Sequence, residues 1–243
     1  MDAPRFSGRK PETPIRLAHI LSLVANYLVI VMFKEVPASK RSLYSRSKIF
    51  SVGINDAPYK VILRKNGKKF RCPAYVVWSN MIKRCYSTLC QEKNKTYSDC
   101  TVCDEWLLFS NFKKWIDGKE IEGNQLDKDL IEPGNRVYCP EKCLMISGSL
   151  NKFLIKHHSK ESNLPTGVIF QKDAGMFRAR FCHSGKTEHL GYFKTQEEAR
   201  SVYAKRKAEE FRKKAALNPS VSKYLISFAV ELEKESELLN IGV

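Results

Sequence analysis

Between residues 34 and 156 the chain has no histidine; its five histidines are His19, His157, His158, His183 and His189. That absence removes the one side chain that titrates near neutrality unaided, so acid–base chemistry in the middle of the chain falls to another group or to a bound cation. Acidic residues are also scarce, 26 against 42 Lys and Arg, which leaves a net charge of +16. Such a balance argues for a polyanionic partner, nucleic acid first and anionic membrane second. No apolar run reaches the roughly 20 residues of a comfortable membrane span. The longest, residues 17–33, is interrupted by His19, Ser22 and Asn26, has basic residues on both flanks, and is followed by no small-residue cleavage site. Three readings of it stand: a buried or dangling helix, a membrane segment, or part of an upstream extension preceding a natural start at Met32.

The charge that is present is unevenly placed. Lys+Arg against Asp+Glu runs 15 to 4 over residues 1–71, 10 to 11 over 72–151, 15 to 7 over 152–214 and 2 to 4 beyond. Basic ends therefore flank a neutral middle, as expected if the ends grip phosphates and the middle carries carboxylates for another task. A chain of 243 residues with 43% hydrophobic content has length for one or two packed domains. Eight cysteines in a chain of this size suit reduced thiols or metal ligands better than a disulfide framework.

Periodicity begins near Tyr75. "AYVVWSNMIKRCYS" places Val77, Trp78, Met81, Ile82 and Cys85 on one helical face, and "DEWLLFSNFKKWIDG" repeats the pattern with Trp106, Phe109, Phe112, Trp115 and Ile116 before Gly118. Both faces read as core. Beyond them "QLDKDLIEPGNRVYCPEKC" reads as a strand, a Pro-Gly turn and a second strand.

The ordered series "VWSNMIKRCYS", "TYSDCTVCDEWLLFSNFKKW" and "QLDKDLIEPGNRVYCPEKCLMISGSLNKF" resembles bacteriophage HNH homing endonuclease-like proteins over about residues 50–155. The resemblance implies a two-stranded hairpin plus helix around one divalent cation, with an Asp-His pair supplying a metal ligand and the general base. On it, Asp127 matches the aspartate, Asn135 the loop asparagine and Asn151 the helix-borne asparagine, while Lys128 stands where the histidine would be. A cation that both activates water and neutralises phosphate charge could replace the missing base. Asp127 and Asp129 are hard oxygen ligands suited to Mg²⁺, and on a continuous strand they face one side while Lys128 points away. The plainer reading is a solvated strand edge capped by a Pro-Gly turn. Cys100, Cys103, Cys139 and Cys143 have the spacing of a four-thiolate structural Zn²⁺ site, with ordinary buried thiols as the alternative.

The rear segment "PTGVIFQKDAGMFRARFCHSGKTEHLGYFKTQEEARSVYAKRKAEEF" reads as strands over 168–171, 177–182 and 189–193, then a helix opened by a Thr195–Glu198 capping box. Ala199, Val202, Tyr203 and Phe211 form the buried side of that helix, and Lys205, Arg206, Lys207, Arg212 and Lys213 the wet side. Its order resembles the Apetala-type, or ethylene-response-factor, DNA-binding domain, in which a three-stranded sheet lies in the major groove. The positions this implies for DNA contact are Arg178 and Arg180, with Lys172, Lys186 and His189 beside them. Independently, Arg178 and Arg180 alternate on one strand and so share a face. His157 and His158 read as linker residues. A final amphipathic helix over 219–240, with Val221, Leu225, Phe228 and Leu232, packs back on the fold or pairs with a second chain.

The expectation is an α+β chain: an N-terminal extension (1–49), a small HNH-like hairpin-helix module (50–155), a three-stranded antiparallel sheet packed on one helix (164–215), and a terminal helix. Its partner is double-stranded DNA, with no small-molecule substrate and membrane attachment disfavoured. The place implied is the cytoplasm of an infected bacterial host. The leading expectation is a metal-dependent, homing-type DNA endonuclease; the alternative is a nuclease relative that lacks the chemistry and binds DNA as a transcription or replication regulator.

Overall fold

The computed structural model describes residues 33–155, 163–183 and 185–241. The apolar run 17–33, Phe33 excepted, lies outside them, as do His157 and His158. Among the described residues no helix is long and apolar enough to cross a membrane. The architecture is mixed α+β with small sheets.

A one-turn helix, α1 (Lys40–Tyr44), is capped by Ser39, whose hydroxyl accepts from Ser42 N at 3.2 Å. Arg46 follows and donates to the carbonyls of Asn55 (2.9 Å), Ala57 (2.6 Å) and Tyr59 (2.8 Å), tying an irregular loop into one place. Strands β1 (Ile62–Lys65) and β2 (Lys68–Arg71) then form an antiparallel hairpin.

Helix α2 (Pro73–Tyr86) opens on a proline, which lacks only a donor the first turn cannot use. It buries Ala74, Trp78, Met81, Ile82 and Cys85, with Val77 only half-buried, so the apolar stripe is rotated slightly from the expected one. A short α3 (Thr88–Lys93) leads to β3 (Thr101–Val102). The second aromatic segment divides into a 3₁₀ turn at Asp104–Leu107 and α4 (Phe109–Ile116), ending at Gly118 with φ +76°. Trp78, Trp106, Phe109, Phe112 and Ile116 are fully enclosed, each worth about 1.5–3 kcal/mol of burial. The Trp78 indole donates to the Trp106 carbonyl at 2.7 Å, so its one polar atom is satisfied inside the core.

Strands β4 (Asn124–Asp127), β5 (Val137–Tyr138) and β6 (Leu144–Ser147) complete this half. β4 pairs with β6 antiparallel, and β5 with β3 parallel. Ser147 caps α5 (Gly148–Leu154) by accepting from Leu150 N at 3.2 Å.

The rear sheet has the order β7 (Val168–Gln171), β8 (Met176–His183), β9 (Lys186–Phe193), antiparallel throughout. It packs on α6 (Gln196–Leu217), whose start is the expected capping box of Thr195 and Glu198. The fit at the sheet's entrance is tight. Gly167 has φ +88°, and a Cβ there would lie 2.0 Å from the Tyr203 ring.

Helix α7 (Ser222–Ile241) turns back along α6. Arg212 and Glu233 make two 2.7 Å bonds, Arg200 and Glu235 two of 2.8 Å, and the Ser201 and Ser236 hydroxyls meet at 2.8 Å. Of the two expected fates for the last helix, packing back is the one observed. Phe211, Ala215, Val221 and Leu225 share a core with Leu130, Ile146 and Leu150, so the helical pair is seated on the central half.

Candidate functional site

The first candidate is the turn after β4. The expected strand through residue 131 stops at Asp127, and the cause is local. Asp127 Oδ1 accepts from the amides of Asp129 (3.0 Å) and Leu130 (2.7 Å), a side-chain turn that bends the chain out of the extended form. Strand alternation therefore does not govern the next two residues. Lys128 is turned inward, 6% exposed, and the Asp129 side chain is half exposed. This reverses the expectation that Lys128 points away while the two aspartates share a face.

Lys128 is fully engaged. Its ammonium donates to both Asp129 oxygens (2.8 and 2.9 Å) and to the Asn135 carbonyl (2.5 Å). Asn135 replies with its side-chain amide, which donates to the carbonyls of Lys128 (3.0 Å) and Val137 (2.7 Å), while its Oδ1 accepts from Val137 N at 3.1 Å. Asn151, on α5, donates to Gln125 Oε1 at 2.7 Å and is not brought into this network. Burial pushes the Asp127 carboxyl above its ordinary range, opposed by the Leu130 and Asp129 amide bonds. Among the described residues nothing bonds its Oδ2.

The metal chemistry expected here fits poorly as the residues stand. Mg²⁺ would need oxygens from Asp127 and Asp129 together, yet the Lys128 ammonium already sits on Asp129. The cysteines are likewise divided. Pairing of β3 with β5 sets Cys103 beside Cys139, the Cys103 amide donating to the Tyr138 carbonyl at 3.0 Å, and Cys143 lies near both. Cys100 instead directs its thiol to the Thr96 carbonyl at 3.6 Å and neighbours Cys85. Among the described residues no three His, Cys, Asp or Glu side chains gather as a metal site.

The second candidate is the open face of the rear sheet. Phe177, Ala179 and Phe181 of β8 turn to the helix side, which leaves Arg178 and Arg180 on the other. Arg178 lies opposite Tyr192 and Arg180 opposite His189, with an irregularity between them where β9 accommodates Leu190. The His189 and Tyr192 rings contact at 4.8 Å. Glu188 is the one carboxylate of β9, and it bonds Arg206 of α6 at 2.9 Å on the other face. The open face thus carries two arginines, a histidine and an exposed tyrosine, and among the described residues no acidic side chain.

Charge accounting separates these cations from those of the helices. Arg200, Arg206 and Arg212 are each ion-paired, with Glu235, Glu188 and Glu233. Arg178, Arg180, Lys172 and Lys186 have no ion pair among the described residues. Arg178 Nε is buried and has no hydrogen-bond partner among the described residues, as is one terminal nitrogen of Arg206. Lys172 sits in the 3₁₀ turn between β7 and β8, and Lys186 at the start of β9. Both help line a cleft of about 1070 Å³ beside α5, which also receives Lys152, Arg180, Lys207 and Lys214 and, among the described residues, no carboxylate.

Sequence reading missed the inward lysine and the Arg46 clamp. An aspartate two and three residues ahead of amides it can accept was the available signal for the first. The second had none, because its acceptors are backbone carbonyls. Compared with family models, with curated proteins and with solved structures, the chain matches none.

Proposed function

We propose that this protein binds double-stranded DNA through the open face of the β7–β9 sheet, with Arg178 and Arg180 reading base edges and phosphates, and Lys172, Lys186 and His189 holding the flanks. The observation that carries the reading is the contrast in pairing: the helix arginines are neutralised by glutamates, and the sheet arginines are not. An arginine fork without an internal carboxylate suits guanine edges and phosphate oxygens. The net charge of +16 supplies the sequence-indifferent attraction.

On this reading the Asp127–Asn135 turn is a scaffold. Lys128 provides locally the positive charge that a divalent cation would provide in the nuclease hairpin the sequence resembles, and the protein acts by occupying DNA, as a transcription or replication regulator in an infected bacterial host. A metal-dependent homing-type endonuclease is the second reading, favoured by one observation. Asp127 is a buried carboxylate with a raised pKa and an unbonded Oδ2, a state that a bound Mg²⁺ would relieve.

The test is binding and cleavage together. The full chain is used to enrich duplexes from a random-sequence pool, and Arg178→Ala with Arg180→Ala is then titrated against the enriched duplex. The double variant should keep its circular dichroism spectrum and lose preference for that duplex, at about 1–3 kcal/mol per arginine. Unchanged preference removes the sheet from the account. Nicking of the enriched duplex by the wild type with Mg²⁺ or Mn²⁺, abolished by Asp127→Ala, selects the second reading over the first.

A further inference from the structure

The β1–β2 hairpin plays no part in either candidate site. It is a ten-residue ribbon, residues 62–71, closed by Asn66 (φ +50°) and Gly67 (φ +72°), the two-residue turn whose twist matches a hairpin. Except for the half-buried Leu63, every residue of both strands is exposed. Five of the ten are cationic: Arg64, Lys65, Lys68, Lys69 and Arg71.

Their placement is unfavourable in isolation. The register sets Arg64 directly opposite Lys69 and Lys65 directly opposite Lys68. Like charges at facing positions destabilise a pair of strands, and a lone two-stranded hairpin has little stability in reserve. No described neighbour relieves them. Residues 57–91 contain no Asp or Glu, and none of the five cations is ion-paired among the described residues. Lysine on an exposed edge does guard against strand-to-strand aggregation, but that role does not call for cations set directly opposite one another. Two stacked like-charge pairs go further and mark a surface shaped for a polyanion.

The ribbon's form narrows the partner. Two antiparallel strands fit the roughly 12 Å major groove of duplex DNA. Arg64, Lys69 and Arg71 line one face, while Lys65 and Lys68 flank the tip beside Leu63 and Phe70, so cations are presented on both sides of whatever the ribbon enters. We propose that the β1–β2 ribbon is a second duplex-DNA contact, indifferent to sequence, which holds phosphates on either side of a groove while the rear sheet selects the site. This rests on the DNA-binding reading above.

Full-length wild type, Lys65→Ala/Lys68→Ala/Lys69→Ala, and Arg178→Ala/Arg180→Ala are titrated by fluorescence anisotropy over a salt series. The probes are the enriched duplex and a scrambled duplex of equal length. For the ribbon variant, the slope of log affinity against log salt should become shallower by about 2–3, roughly 0.9 per lost phosphate contact, equally on both probes, with preference between them unchanged. The sheet variant should lose preference between the two probes. Lys68→Glu adds an independent arm. It creates an opposite-charge pair with Lys65, so the melting temperature should hold or rise while affinity for both probes falls, which a purely structural hairpin would not show. If wild type binds with preference and the ribbon variants keep its slope and affinity, the ribbon proposal fails alone. If wild type binds neither probe, the DNA-binding reading fails and the ribbon proposal fails with it.

Discussion

Lys128 and Asn135 hold each other by both ends: the Lys128 ammonium donates to the Asn135 carbonyl, and the Asn135 amide donates to the Lys128 carbonyl. The eight residues from Lys128 to Asn135 are closed into a turn by that exchange, and the consequences for mutation are specific. Asn135→Ala leaves two carbonyls and one amide of the turn without partners, and should cost about 2–3 kcal/mol in urea denaturation. A loss below about 0.5 kcal/mol would show that the turn is held by something else.

Lys128→His is the sharper substitution. A shorter imidazole cannot reproduce three ammonium bonds, so the variant should be less stable than wild type at pH 7 and should not cut DNA with Mg²⁺. Lys128→Ala should instead acquire a response to the metal. With its ammonium gone, Asp129 is open beside Asp127, and Mg²⁺ at about 10 mM should stabilise the variant on the order of 1 kcal/mol while leaving wild type unmoved. Equal melting shifts for the two proteins would show that Lys128 does not substitute for a cation.

Asp127 gives a pH signature. Its pKa is raised above the unfolded value of 3.8, burial being the largest cause. Between those two values the folded chain keeps a proton that the unfolded chain has released, so stability falls as pH rises through that window, and the deficit is complete above the folded pKa. Asp127→Asn retains an oxygen for the two amides and does not titrate. Its stability relative to wild type should therefore improve between about pH 3 and pH 7. A difference that is flat in pH would contradict the burial argument.

The thiols should sort by exposure. Burial pushes the Cys85 thiol up to about 12 and raises Cys143 further, while Cys182 is exposed on the open sheet face. Under native conditions an alkylating reagent should label Cys182 first, with Cys72, Cys85, Cys100 and Cys143 reacting only on unfolding. Peptide mass mapping reads the order. Zinc bound in equimolar amount by the isolated protein, and lost in Cys100→Ala, would show that Cys100 joins Cys103, Cys139 and Cys143.

Gly167→Ala should destabilise by about 2 kcal/mol or more, since the new methyl would overlap Tyr203 at a positive φ. A melting temperature within two degrees of wild type, roughly the resolution of such a shift, would mean the ring moves aside without cost.

What was legible in the sequence was whatever is set by spacing within one element. Trp78, Met81, Ile82 and Cys85 are buried because they recur at helical intervals, and Thr195 with Glu198 announces a helix start from four residues. The three rear strands fall where turn residues divide them. The Asp127 turn was misread because alternation presumes a continuous strand, and one side chain bonding two amides ended it. The Asn66-Gly67 hairpin was legible and went unread, because it lies ahead of the first periodic segment at Tyr75 and was counted only as part of a basic end. Burial of Leu130 under α6 and α7 could not be read, since it depends on contacts some eighty residues away in sequence.

The shared core of Leu130, Ile146 and Leu150 with Phe211 and Leu225 sets the unit of folding against the unit of recombination. The sequence invites a cut near residue 160, between two segments that could have been inherited separately. The packing forbids treating the pieces as interchangeable parts. A rear half grafted elsewhere would arrive with an oily seam on its helices, and the host would have to offer a matching surface in the place of Leu130 and its neighbours. A lineage that shuffles such modules must therefore exchange the seam along with the sheet, or lose the solubility of both products.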